Sequence, residues 1–366
     1  MKFLGSRFVI AAAALLLAAP GASSRIAAAP APSGAGIPSF DGAVGWLNSK
    51  PLTAADLHGK VVLVDFWEYT CINCLRTLPY MKTWYDRYHD DGLVIVGVHT
   101  PEFGFSGDTK NVTAAVARLG IKWPVALDDG YVIWKRYQND AWPKEYLYDQ
   151  QGNLVESQAG EGNYQSTEAK IQSLLKAATP SLKFPSVMAL LPQDSYDKPG
   201  AVCYPQTAET YVGPWHGQMI ANAGALNSGP GDTNYVDSGT NHSDGSVYLQ
   251  GYWHAGPQGQ AMISGGNDSA LSLHYHAIQV VAVMKPETGD SVRVNVTQDG
   301  KPIAREDAGS DIKYDSSGMS YVTVGAARAF ELLANAKFGQ HDLRLLPQRF
   351  GAGIYSFAFE SCEVPR

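Results

Sequence analysis

Residues 59–80 read GKVVLVDFWEYTCINCLRTLPY. The first half, Gly59 to Thr70, is rich in Val, Leu and Phe and opens on Gly, the pattern of a buried strand. From Cys71 onward the pattern changes. Leu75, Leu78, Trp84 and Tyr85 recur at helical spacing until the stop DDG at 90–92. A strand feeding directly into a helix places Cys71 at the helix N-terminus, where unpaired N–H groups and the dipole favour a thiolate. Cys74 follows three residues later, nearly one turn on and on the same side. This pattern predicts Cys71 as the attacking thiol and Cys74 as the resolving thiol of a disulfide exchanger.

Other uses of the spacing fit less well. A zinc site needs further Cys or His ligands close by, and Cys203 and Cys362 stand far apart without a CxxC partner. Haem attachment needs His after the second cysteine, where this chain has Leu75. No metal and no external cofactor are expected; the redox group is the cysteine pair.

Outward from this stretch, LVIVGVHT (93–100) reads as a second buried strand and TKNVTAAVARLGI (109–121) as an amphipathic helix closed by Gly120. WPVALDDG (123–130) and KEYLYDQQGNLVES (144–157) read as strands, the latter with a hairpin turn at its Gly-Asn step, and TEAKIQSLLKAA (167–178) as a closing helix. The order β-α-β-α-β-β-α predicts an α/β domain over 36–178. Residues 179–201 hold four prolines in an aperiodic run and read as a linker. Over 202–366, short runs such as SVYLQGYWHA, ALSLHYHAIQVVAVMKP, SVRVNVTQDGKP, SYVTVG, HDLRLLPQ and IYSFAFES alternate with Gly, Asn, Asp and Ser. They predict an all-β, jelly-roll-like antiparallel sandwich with a hairpin at TQDGKP.

Composition bounds the function. The 366 residues suffice for two domains, and 45% apolar with 17% charged content supports packed cores. A net charge of −7 argues against a nucleic-acid partner. Lys2 and Arg7, the apolar run Phe8 to Ala19 and the small residues around Ser23 read as a cleavable export signal, with an uncleaved membrane anchor as the other reading, so 1–29 is expected to be signal peptide and leader. An exported, periplasmic or similarly oxidising location follows. Only four cysteines are present, too few for a disulfide scaffold. Cys203 opens the second domain and Cys362 nearly closes it, so the two are expected to form a structural disulfide.

Further residues gather around the cysteine pair. Asp65 is a carboxylate in an apolar strand; burial would raise its pKa and suit it to accept the proton of Cys74. Pro79 interrupts the helix, so a kink is expected there. A cis bond between Trp142 and Pro143 would leave the Trp142 backbone to pair with a substrate strand. Asp65 six residues before Cys71, Pro79 five after Cys74, and Pro143 in the place of the cis-proline together resemble the thioredoxin fold. NVTAAVARLGIKWPVALDD resembles the insertion of exported TlpA-like thiol–disulfide oxidoreductases, to which the cytochrome c maturation reductases belong. DFWEYTCINCLRTLPY, IVGVHTPEF, WPVALD, WPKEYLYD and TAETYVG resemble the C-terminal soluble region of DipZ-type proteins, from about residue 40 to the end. The resemblance implies that Glu102 lies near the cysteine pair and affects its reactivity. It also implies a membrane electron donor of the DsbD/CcdA kind as partner, beside protein or small-molecule disulfide substrates. Thr70 stands before Cys71 on the substrate-binding side, where most thioredoxins carry Trp. The other readings are a thiol peroxidase and a surface sugar- or protein-binding protein with an incidental cysteine pair.

For the second domain the resemblance implies a carbohydrate-binding-module-like fold. Trp215, Tyr252 and Trp253, with His254, form a candidate sugar platform, set against the commoner use of aromatics as packing residues. His274 and His276 alternate on a strand and face one side; a third metal ligand is not evident.

Overall fold

The computed structural model describes residues 36–192, 194, 197–213, 220–222, 232–239, 241–256 and 261–364. In the first domain, strands β1 (Gly45–Leu47), β2 (Val61–Trp67), β3 (Leu93–His99), β4 (Val125–Leu127), β5 (Lys144–Tyr148) and β6 (Leu154–Ala159) form one sheet in the order β1-β4-β3-β2-β5-β6. The central strands β2, β3 and β4 are parallel, while β5, β6 and β1 run antiparallel to their neighbours. β2 is buried along its whole length because helices cover both faces of the sheet, which is why its sequence is an apolar run rather than an alternation.

One face carries α2 (Ile72–Tyr88), α3 (Thr109–Leu119) and α5 (Tyr164–Ala178); the other carries α1 (Ala54–Leu57) and α4 (Val132–Arg136). β1, α1 and α4 are too short to leave a periodic signal in the sequence. α3 is capped by Asp108 at its start and by Gly120 at φ 64° at its end. Pro79 lies within the unbroken helix α2, where it removes one donor to the carbonyl of Leu75. The segment after α5 has no regular element up to residue 191, yet Leu182, Phe184, Met188, Leu190 and Leu191 pack on the core of the α2 face.

The second domain holds β7 (Val202–Cys203), β8 (Thr210–Tyr211), β9 (Asp232–Tyr235), β10 (Val247–Ala255), β11 (Met262–Ser264), β12 (Ala270–Pro286), β13 (Val292–Gln298), β14 (Lys301–Pro302), β15 (Lys313–Tyr314), β16 (Ser320–Val324), β17 (Arg328–Pro347), β18 (Ala352–Glu360) and β19 (Cys362–Glu363). It is strand-rich, as expected, but its main strands form one continuous eleven-stranded sheet rather than two separate ones. The long strands β12 and β17 pair along their length. At the bulges near Ala277–Val281, β12 exchanges β10 for β18 as its other neighbour. Strands that change partner at bulges turn a corner, so one sheet wraps a single core. The TQDGKP hairpin is present: Gln298 pairs with Lys301 across Asp299 and Gly300, both at positive φ. β7 and β19 form a separate ladder in which Cys203 stands directly opposite Cys362, and the two are joined as a disulfide.

Candidate active site

Cys71 is the N-cap of α2, and its sulfur accepts the Cys74 N–H at 3.2 Å. Cys71 and Cys74 are joined as a disulfide with Cα atoms 5.3 Å apart. Cys71 keeps partial exposure while Cys74 is fully buried beneath the helix, so an incoming group reaches the first sulfur and not the second.

Asp65 shares its face of β2 with Val61, Leu63 and Trp67, the face that α2 covers. It is fully buried, and neither carboxylate oxygen has a hydrogen-bond partner. Burial alone pushes its pKa up to about 7. Directly across the β2–β5 ladder stands Glu145, which is also buried and pushed up to about 8 by burial and by the Asp65 charge. On the other flank is Gly97 of β3, where any Cβ would lie 2.9 Å from Trp67 Nε1 and 3.2 Å from Trp123 Nε1. Sequence reasoning missed Glu145. Its signal was a second carboxylate in an otherwise aromatic strand whose residues alternate against β2.

Glu68 was missed too, although it lies within the quoted stretch. It is fully buried, and its Oε2 accepts the N–H groups of Thr70 at 2.5 Å and Cys71 at 3.1 Å, and the Thr70 hydroxyl. Thr70, expected on the substrate side, is instead 2% exposed, with its N–H and hydroxyl committed to Glu68. Burial and the charge of Glu102 push Glu68 up to about 7. Its Oε1 lies 3.9 Å from His99 Nε2. His99 is fully buried, stacks on Tyr69, and is held neutral by burial, its pKa lowered to about 3.

Glu102 follows β3 and retains partial exposure, but its surroundings push its pKa up through desolvation. The Tyr211 hydroxyl donates to it from β8 of the second domain. The two domains share more than this bond. Phe103 and Phe105 pack edge-on against Tyr355 of β18, with ring centroids 5.4 and 4.7 Å apart, and Ala261 and Val283 complete the cluster. Arg76, two residues after Cys74, bonds Glu161 at 3.0 Å and also reaches Glu360 and Gln279 of the strand-rich domain. The peptide bond between Trp142 and Pro143 is cis, and the Trp142 ring nitrogen donates to the carbonyl of Thr100 at 3.1 Å.

The redoxin family profile matches residues 32–175, and that of the thioredoxin-like C-terminal domain matches 207–359. Thiol-disulfide oxidoreductase ResA of Bacillus anthracis is 33% identical over 134 residues, covering 37% of this chain and 72% of ResA. The chain belongs to the thioredoxin-like thiol–disulfide oxidoreductases. Protein DipZ of Mycobacterium tuberculosis is 39% identical to this chain over 325 residues, which is 88% of the chain but 42% of DipZ. A solved thioredoxin-like protein in the oxidized form aligns at 27% identity and a TM-score of 0.36, over 39% of this chain and 95% of its own.

The aromatic platform expected on the second domain does not form as drawn. Trp253 is fully buried in the core, with its ring N–H on the Gln250 carbonyl, whereas Tyr252 points the opposite way and is 39% exposed. Neighbours along a strand face opposite sides, so the two rings cannot share a surface. Trp215 lies outside the described residues. His254 is paired with Asp232, His274 with Asp342 and His276 with Asp244. Among the described residues no three His, Cys, Asp or Glu side chains gather to hold a metal. Among them, too, no helix is long and apolar enough to cross a membrane; the signal-like segment 1–29 lies outside them.

Proposed function

We propose that the chain is an exported enzyme that reduces substrate disulfides through Cys71 and Cys74. The observation that carries this reading is the pairing of a solvent-reachable N-cap sulfur with a buried partner one turn on. With the pair reduced, the Cys71 thiolate attacks a substrate disulfide, forms a mixed disulfide and releases one substrate thiol. Cys74 then loses its proton to Asp65 and attacks the Cys71 sulfur. The Cys71–Cys74 disulfide forms and the second substrate thiolate leaves, taking up a proton. Asp65 suits this role because burial sets its pKa about 7, near the working pH of a general base. The backbone at Trp142 and Pro143 is the surface for an extended substrate segment, and Glu102 adjusts reactivity from the rim. A membrane dithiol donor of the DsbD/CcdA kind restores the reduced pair. The domains divide as 36–178 for chemistry, 179–201 as connector and 202–366 as the strand-rich partner.

The deciding experiment is the reduction potential of the Cys71–Cys74 pair, measured by equilibration in glutathione and dithiothreitol buffers. Protein carrying Cys203→Ser and Cys362→Ser removes the second disulfide from the signal. A value near −270 mV, roughly that of thioredoxin, supports a reductant; one near −120 mV, roughly that of a strong oxidant, overturns it.

A further inference from the structure

The helix that activates Cys71 serves a second acidic group. At the start of α2, the Cys74 N–H points to the Cys71 sulfur at 3.2 Å, while the Thr70 and Cys71 N–H groups point to Glu68 Oε2 at 2.5 and 3.1 Å. Glu68 thus takes the N-cap N–H of Cys71 and the Thr70 N–H just before the helix, while the Cys71 sulfur takes the Cys74 N–H of the first turn, so the positive helix start lies beside two groups that can each become an anion. The proximity is imposed by the chain, because Glu68 is three residues from Cys71 and both are held by the same turn.

We propose that Glu68 is a positioning residue for the thiol chemistry: when ionised it competes with the Cys71 thiolate for the helix N-terminus and keeps Cys71 protonated. The inference rests on Cys71 being the attacking thiol. Its consequence is that the two groups titrate as a coupled pair and that attack accelerates with pH later than for a thiol alone at a helix start.

The groups around Glu68 leave this competition unrelieved. His99 on β3 is buried and neutral, so it supplies no positive charge at 3.9 Å. Tyr69 and Tyr131 stay protonated, since burial and nearby carboxylates push both up. Glu102 adds a second negative group from the loop after β3, and Tyr211 and the exposed Glu209 face Glu102 from the strand-rich domain. Ser106 also lies against the Glu68 carboxylate. Arg118 on α3 acts on Tyr69. The thiolate stabilisation that an N-cap position alone would give Cys71 is therefore opposed by Glu68.

The test uses full-length Cys74→Ser protein, which leaves Cys71 as a single free thiol and the Cys203–Cys362 disulfide in place. The rate of alkylation by iodoacetamide against pH gives the Cys71 pKa. Glu68→Gln keeps an acceptor for the Thr70 and Cys71 N–H groups but removes the charge. In that background the Cys71 pKa should fall by about one unit or more. An unchanged or raised pKa overturns the proposal and leaves Glu68 as a neutral turn acceptor. Should Glu68→Gln fail to fold, the reciprocal measurement decides. The Glu68 carboxyl, followed by carbon NMR, should titrate at higher pH when Cys71 carries a negative carboxymethyl group than when it carries a neutral carboxamidomethyl group. Identical titrations overturn the proposal. If Cys71 fails to attack a protein disulfide, the functional reading falls, while the alkylation titration still reports on Glu68.

Discussion

Asp65→Asn should make the folded protein more stable at alkaline pH while making it a slower enzyme. In the fold Asp65 titrates near 7, against an ordinary value of 3.8. That difference, roughly three units, means that ionising Asp65 in place costs about 4 kcal/mol. The sign follows from proton binding. Between about pH 4 and 7 the folded state holds a proton that the unfolded state has released, so stability falls as pH rises through this window and stays low above it. Asparagine removes the charge but leaves a buried amide where no partner is available, which costs about 1–3 kcal/mol. The net gain at pH 8 is therefore about 1–3 kcal/mol, whereas at pH 4, where Asp65 is already neutral, the amide cost stands alone and the variant is about 1–3 kcal/mol less stable than the wild type. Guanidinium unfolding of the oxidised protein at the two pH values, with the wild-type chain as reference, measures this; Glu145 is relieved of the Asp65 charge in the variant, which adds to the gain at pH 8. Stopped-flow thiol exchange on the same variant should show resolution of the mixed disulfide slowed more than the first attack. If the variant is no more stable than wild type at pH 8, or if both steps slow equally, then Asp65 is not a strained proton acceptor.

Gly97→Ala should destabilise the first domain by about 1–3 kcal/mol, read by denaturation, because the added carbon meets the rings of Trp67 and Trp123. Arg76→Ala strands Glu161 and Glu360 and should cost on the order of 3 kcal/mol. Hydrogen exchange should then quicken around Glu360 and Gln279 but not in β3; unchanged exchange at those sites would show that the bridge is dispensable. Replacing Cys203 and Cys362 by Ser opens a loop of sequence separation 159 and should lower the stability of the strand-rich domain by about 2–5 kcal/mol, with the Cys71 alkylation rate unaffected. Tyr211→Phe removes a donor to Glu102 and should raise the pH at which that carboxyl titrates, followed by carbon NMR.

What could be read from the sequence was local. The apolar run ending at Trp67, the cysteines at a helix start and the hairpin at 298–301 each depend on residues a few positions apart, and each appears in place. The half of β17 before His341, RAFELLANAKFGQ, carries the Ala, Leu, Lys and Glu of a helix former. It is a strand because β12 offers it a ladder along its length, a partner some fifty residues away. The buried carboxylates separate in the same way. Asp65 stood out against its apolar neighbours, whereas the importance of Glu145 depends on which strand β5 adopts as a neighbour. The donor to Glu102 lies 109 residues further along the chain, where no local pattern points to it. Glu68 is the exception: it is near in sequence, but its meaning rests on the turn folding its side chain back onto the Cys71 N–H.

The contacts of Arg76 and Glu102 bear on how the gene could be edited. From its sequence the strand-rich half reads as a detachable appendage joined by a proline-rich tether. A shortened gene ending near residue 201 would leave Phe103 with a bare aromatic face, Glu102 without the Tyr211 hydroxyl, and Arg76 with one of its two acidic partners. Those three residues flank the redox turn, so the truncated enzyme would differ from the whole one at its most reactive point. The second half is better regarded as masonry than as cargo, and recombining it with another redox domain would require matched residues at all three positions.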